Sequence, residues 1–295
     1  MALGLAERLG GVVINADSMQ VYRDLRILSA RPSADDEARA PHRLYGMMSA
    51  DDPCSVGRWL PWARREVARA HEAGQVPIVV GGSGLYLNAL TEGIAVMPEV
   101  PDAVRAAVRE RLRAQGAAAL HAELHRCDPD MADRLRPSDP QRIARALEVL
   151  EASGRSLLHW QAQAPAGGLE ARWLGLVLQL PRELLYRRCD IRLAAMLHEG
   201  GLDEVAALLA RGLDPALPAM RALGVPHLIL HLRGECDRQS ALVAAQTATR
   251  QYAKRQLTWF RHKMISWNAI EAQDSECFFE KIFPFVSEFL LTPPD

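Results

Sequence analysis

Four short stretches of this chain hold residue types at spacings that suit chemistry. In residues 11–23, GVVINADSMQVYR, the apolar run Val12-Val13-Ile14 gives way to Asn15-Ala16-Asp17-Ser18. That pattern reads as a buried strand ending in small polar turn formers. Open α/β sheets place their ligands past the carboxyl ends of strands, so Asp17 is either a ligand-facing carboxylate or the cap of the next helical turn. A second strand, residues 75–80, runs into Gly81-Gly82-Ser83-Gly84. A strand, a glycine-rich turn and a helix start form an anion or backbone-approach site, or a tight turn with no ligand. Beyond Pro181, Arg188 and Arg192 lie four residues apart between Leu184 and Leu185 on an otherwise apolar face. Arginines so placed either snorkel to solvent or hold an anion in a partly dry site. Last, residues 250–263 carry five Lys/Arg and no acid, interleaved with Tyr252, Thr258 and Trp259. A charge run is usually a solvated face, but this composition suits a phosphate backbone better.

The elements that must position these groups follow from periodicity and punctuation. Residues 3–9 read as the tail of a helix ending at Gly10-Gly11, with the first strand following at once. A helix feeding a parallel strand normally crosses over from an earlier strand, so a strand upstream of Met1 is expected. Residues 25–52 are loop-like, and residues 56–73 form a helix closed by Gly74. Pro98 and Pro101 mark a shift to Ala/Arg/Leu-rich helices over 102–115, 117–127 and 139–153. The last has Asp139 as N-cap, Pro140 at its first position and Gly154 beyond its end. Ile143, Leu147 and Leu150 make its apolar stripe, while Arg142 and Arg145 share another face. Residues 173–180 predict a third strand, 182–199 a helix, and 238–263 a long helix with Ala253, Leu257 and Phe260 as its core stripe. Arg250, Lys254, Thr258 and Arg261 line the neighbouring stripe. The expected organisation is an α/β core formed by residues 1–98 and 165–264, a helical insertion over 99–164, and a tail over 265–295.

Composition narrows the class. With 295 residues and 49% hydrophobic content the chain can bury a sizeable core. No apolar run approaches the roughly 18 residues of a membrane span, and Glu7 and Arg8 break any signal-peptide core. The five cysteines are scattered without a C-x-x-C pair, which argues against zinc and disulfides and for a cytoplasmic setting. Net charge is −1, so bulk charge does not announce nucleic acid; the clustering of arginines has to.

Four blocks together, ADSMQVYR at 16–23, PIVVGGSGLYLNAL at 77–90, DPQRIARALEV at 139–149 and TRQYAKRQLTWFRH at 249–262, resemble tRNA dimethylallyltransferases, also called tRNA isopentenyltransferases. They occur in the family's order, and the likeness covers about residues 3 to 265. The resemblance implies a P-loop-type parallel sheet flanked by helices, with an inserted helical domain. It implies transfer of a dimethylallyl group from dimethylallyl diphosphate to the exocyclic amine of the adenosine 3′ to the anticodon, with Mg2+ accompanying the diphosphate. The partners implied are a tRNA anticodon stem-loop and the allylic diphosphate, with no membrane and a monomeric chain.

By the same resemblance Asp17 is the base that assists the weakly nucleophilic amine. Ser18, Met19 and Gln20 line the pocket of the extruded base, and Ser83 stands where the family usually has threonine. Arg105 and Gln141, Arg142, Ile143, Ala144 and Arg145 hold the stem-loop from the insertion. Lys254, Arg255, Gln256, Thr258 and Arg261 form a basic wall. Arg221 begins RALGVP, which departs from the usual R-x-x-G-Y-[RK] at Val225 and Pro226. Arg188 or Arg192 neutralises the leaving diphosphate. The family's G-x-x-x-x-G-K-[ST] loop does not occur in the sequence, and its only lysines are Lys254, Lys263 and Lys281. The expectation is a member lacking its first strand and phosphate cradle. The competing readings are a catalytically impaired tRNA-binding form and a P-loop kinase of a small nucleotide.

Overall fold

A computed structural model describes residues 1–271 and 275–292. The chain divides into two compact units, residues 1–91 with 169–295, and residues 92–168.

The first unit opens with α1 (Ala2–Leu9), which ends because Gly10 takes a left-handed φ of 60°. β1 (Val12–Asn15) follows directly and is buried along its whole length. Residues 25–52, loop-like by sequence, contain α2 (Ala34–Arg39) and the two-residue β2 (His42–Arg43). The signal for α2 was present as a capping box, in which Ser33 and Asp36 satisfy each other's backbone N–H groups. α3 (Val56–Glu72) is capped by Ser55, and β3 (Pro77–Val80) leads into α4 (Gly84–Thr91). β1 pairs in parallel with both β2 and β3, giving the order β2-β1-β3. Alternation along β1 sends Val12 and Ile14 against Val67 and Ala70 of α3 and Val13 against Ala6 of α1.

The second unit is helical: α5 (Asp102–Cys127), α6 (Pro129–Ala132), α7 (Pro140–Ser153) and α8 (Leu157–Gln161). Gly116, at φ 81° and ψ 169°, breaks α5 at the boundary expected between its two segments. Asp139 caps α7 by accepting from the Arg142 N–H, and Gly154 closes it at φ 66°. Val108, Leu120, Leu124, Ile143 and Leu147 form the core of this unit.

The chain returns to the first unit through β4 (Leu176–Gln179) and α9 (Arg182–His198). α10 (Gly201–Ala210), a 3-10 turn at Ala219–Arg221, α11 (Val225–Leu232) and α12 (Arg238–Lys263) follow. β5 (Asn268–Glu271) and α13 (Ser275–Leu291) occupy what the sequence presented as a tail. The spacing of Phe278, Ile282 and Val286 is helical, but the acidic and aromatic residues around it concealed the period. β5 pairs in parallel with β4, so the described residues form two parallel sheets and not the single one expected. Ile78 of β3, Leu176 of β4 and Ile270 of β5 nevertheless share one apolar cluster, which Leu5 of α1 and α13 cover.

Candidate active site

The site is built on two turns, each at the carboxyl end of a strand of the first sheet. Asn15, the last residue of β1, is fully buried and would be costly there without partners. Its Oδ1 accepts from the Asp17 N–H at 2.8 Å, and its Nδ2 donates to the carbonyls of Asp17 at 3.0 Å and Leu44 at 3.1 Å. Leu44, whose carbonyl accepts that bond, takes a left-handed φ of 65°, uncommon for a non-glycine residue. Trp59 of α3 donates its indole N–H to the Asn15 carbonyl at 2.9 Å from a fully buried position. Asn15 thus fixes the backbone that presents Asp17.

The Asp17 carboxylate accepts from the Met19 N–H at 2.8 Å. Burial pushes its pKa above the ordinary value; the N–H groups of Met19, Gln20 and Gly82 and the charge of Arg192 oppose that shift without cancelling it. The second turn, residues 81–84, packs against the first so closely that glycine is required. A Cβ at Gly81 would lie 2.2 Å from the Ala16 carbonyl group. Ser83 ties the two turns: its Oγ accepts from the Ser18 N–H at 2.9 Å and lies 3.1 Å from the Ser18 Oγ.

α12 closes the site with one face. Gln256 donates its Nε2–H to the Gly82 carbonyl at 2.8 Å. A Cβ at Gly84 would meet the Trp259 ring at 2.2 Å, and the Trp259 indole nitrogen is buried without a partner. Tyr252 lies beside Ser83 and Gln256, and burial followed by the charge of Asp17 raises its phenol pKa. Tyr45 is raised for the same two reasons; Tyr86 is raised by burial and then by the Cys54 thiol, with Asp17 contributing least. A single carboxylate therefore sits among three neutral phenols, two hydroxyls and backbone donors. This arrangement can accept a proton from a neutral amine.

The other face of α12 exposes Lys254, Arg255, Thr258 and Arg261. Arg255 also rests 5.6 Å from the centre of the Tyr252 ring. Arg250 pairs with Asp190 at 2.6 Å and is committed to holding α12 on α9. Arg188 and Arg192 are both exposed on α9, and the Arg192 charge reaches Asp17. Arg221 is exposed at the end of its 3-10 turn.

Some of the expected tRNA-facing residues have internal roles in the structure. Gln256, placed in the basic wall by sequence, spends its donor on the Gly82 carbonyl. Gln20 spends its amide donors on the carbonyls of Ser29 and Ala30, both at 2.9 Å, and braces its own loop. In the helical unit Ile143 is fully buried and Ala144 nearly so, because α7 turns that stripe into the core. Only Gln141, Arg142 and Arg145 of that segment reach solvent, with Arg142 3.6 Å from Asp139 and Arg145 3.5 Å from Glu148. Arg105 donates to the Val100 carbonyl at 3.2 Å and keeps part of its surface exposed. Sequence reasoning missed Asn15, Tyr45 and Trp59; of these only Asn15, a polar residue ending an apolar strand, carried a signal.

Residues 20–263 match the family model described as IPP transferase. The chain belongs to that family. Relatives include the tRNA dimethylallyltransferase of Rhodospirillum centenum, 54% identical over 93% of this chain and 88% of its own length. The corresponding protein of Rhodospirillum rubrum is 55% identical over 99% of this chain and 91% of its own. Among solved structures, the full-length tRNA isopentenylpyrophosphate transferase of Bacillus halodurans superimposes with a TM-score of 0.69 at 30% identity. That match covers 98% of this chain and 91% of the other. The IPP transferase fold is therefore the frame in which Asp17, Ser83 and α12 are held. Among the described residues no helix is long and apolar enough to cross a membrane.

Proposed function

We propose that this chain transfers a dimethylallyl group from dimethylallyl diphosphate to the exocyclic amine of the adenosine 3′ to the anticodon in tRNA. The observation that carries the reading is the half-buried Asp17, whose carboxylate accepts from the Met19 N–H in the turn that Ser83 ties down. The amine nitrogen attacks the allylic carbon, a C–N bond forms and the C–O bond to diphosphate breaks. The amine proton passes to the Asp17 carboxylate, and the electron pair of the broken bond leaves with the diphosphate. A carboxylate whose pKa is raised by burial is a better base for that proton than an exposed one. Arg192, whose charge reaches Asp17, and Arg188 on the same helix offer the fixed positive charge that a departing diphosphate needs.

Ser18 and Met19 border the space where an extruded base would sit, since Ser18 meets Ser83 and Met19 holds the Asp17 carboxylate. The exposed Lys254, Arg255, Thr258 and Arg261 serve the tRNA backbone, as do Arg221 and, in the helical unit, Arg105, Gln141, Arg142 and Arg145. Magnesium accompanies the diphosphate in this reading, but the protein's donors do not fit a resident ion. Among the described residues no three His, Cys, Asp or Glu are grouped to hold one, and the Asp17 carboxylate is occupied by N–H donors. The test is incorporation of labelled dimethylallyl diphosphate into an anticodon stem-loop with adenosine at the position after the anticodon. Label in that adenosine is expected; a guanosine substitution there should abolish it, and label that persists would refute the reading.

A further inference from the structure

One helix meets both halves of the proposed chemistry, and it does so through residues with separate duties. On α12, Lys254, Arg255, Thr258 and Arg261 face solvent. Gln256 and Trp259 face the turn at residues 82–84. The approach on that inner side is close: a Cβ at Gly82 would lie 2.2 Å from the Gln256 Nε2 and 3.4 Å from the Asp17 Oδ2. One glycine is thus enclosed between the carboxylate and an amide that arrives from 174 residues away. Gly82 is engaged on both sides: its carbonyl accepts from Gln256, its Cα lies against the Asp17 carboxylate, and its N–H is among the groups that favour the charged form of Asp17.

We infer that Gln256 is a positioning residue for Asp17, acting through Gly82, and that it makes no contact with tRNA. A glycine turn is the backbone least able to hold its own orientation. Without the Gln256 bond the peptide on either side of Gly82 is free to rotate, and the N–H leaves the carboxylate. The carboxylate then keeps its burial but loses one of the donors that favour its charged form. Its other neighbours do not replace that donor: Arg192 on α9 acts at a distance, and Tyr45, Tyr86 on α4 and Tyr252 on α12 are neutral phenols. The sign follows directly. Asp17 titrates at higher pH in a Gln256 variant, so the ionised base is lost earlier as pH falls.

This inference rests on the functional reading above, and the experiment separates the two. In the full chain, Gln256→Met keeps the side-chain volume and removes the donor; Gln256→Asn keeps the amide and withdraws it, should methionine disturb folding. The first readout is the pH titration of the Asp17 carboxyl carbon by NMR, which needs no substrate. Its midpoint should move upward in either variant. The second is single-turnover transfer at saturating stem-loop, expected to fall roughly tenfold near neutral pH, the worth of one lost hydrogen bond. The acid limb of that profile should shift upward, with tRNA affinity changed less than twofold. An unmoved carboxyl midpoint overturns the inference, as does a rate lowered equally at every pH. Weakened tRNA binding with an unaltered pH profile overturns it too, by making Gln256 a tRNA contact. A wild-type chain that transfers nothing overturns the functional reading, while the carboxyl titration still decides whether Gln256 positions Asp17.

Discussion

The turns around Asp17 and the N-terminal segment of α7 both hold residues that resemblance assigns to tRNA, yet they are built in opposite ways. Around Asp17 the polar groups are buried or half-buried, and most of their bonds run to backbone: Asn15 to Asp17 and Leu44, Asp17 to Met19, Gln256 to Gly82. In α7 the arginines are at least partly exposed and lie near carboxylates three residues away in sequence, at 3.5 to 3.6 Å. Backbone-anchored groups cannot relax when a substrate arrives, which suits a base that must meet one proton. The exposed Arg142–Asp139 pair is worth little and exchanges readily, which suits a surface that must trade internal partners for phosphates, whereas Arg145 meets a Glu148 that is itself buried.

That contrast makes the two regions respond differently to single changes. The largest effect is expected at Asp17. Asp17→Asn should lower single-turnover transfer by roughly 10²–10⁴-fold, the usual worth of a positioned base, and leave tRNA affinity nearly intact. It should also alter the pH dependence of stability. A carboxyl group whose folded-state pKa lies above its unfolded value contributes stability at low pH and loses it as pH rises through the folded value. Thermal melts of the wild type should therefore show a stability decline starting above about pH 4, near the ordinary carboxylate value, that is missing in Asp17→Asn. Identical profiles would mean that Asp17 is not strained by burial.

Within α7 the contrast can be drawn between adjacent residues. Ile143→Ala opens a cavity in the core of the helical unit and should cost about 2–5 kcal/mol in denaturant unfolding. Arg142→Ala, one position earlier, should change stability by less than about 0.5 kcal/mol while weakening stem-loop binding. Equal destabilisation by the two would erase the division between core and contact faces.

The smallest effect is expected on the outer face of α12. Lys254→Ala should reduce the slope of log affinity against log salt by about one unit and leave the transfer rate at saturation unchanged. A fall in the saturated rate would show that the outer face also shapes the Asp17 turn.

Legibility in the sequence followed how local each determinant is. α7 was read to the residue because Asp139, Pro140 and Gly154 are all within it, and α12 because its period and charges are continuous. Asp17 and the glycine turn were found because strand-to-turn transitions are local events. What escaped was decided by distant partners. The amide of Gln256 looked like part of a basic run, and nothing near it in sequence announces the Gly82 carbonyl. Leu44 shows no glycine-like signal for its left-handed backbone, and its carbonyl's partner, the amide of Asn15, lies 29 residues away. Resemblance grouped Ile143 with its arginine neighbours, although the same segment's apolar stripe already placed it in the core.

The loop behind the site has a further tie, and it bears on how the protein is made. Glu204 of α10 accepts from three successive N–H groups, those of Arg26, Ile27 and Leu28, at 2.7, 2.6 and 3.0 Å. The partners of those N–H groups, and of the Gly82 carbonyl, lie in the last third of the chain. During synthesis the donor to Gly82 follows it by 174 residues, a wait on the order of ten to thirty seconds at ribosomal speeds. Throughout that interval the first sheet exists without the groups that order its turns, so the nascent N-terminal half should remain soft and protease-sensitive until α12 emerges. The catalytic turn is consequently one of the last parts of the molecule to become rigid, although it is translated well before the helix that holds it.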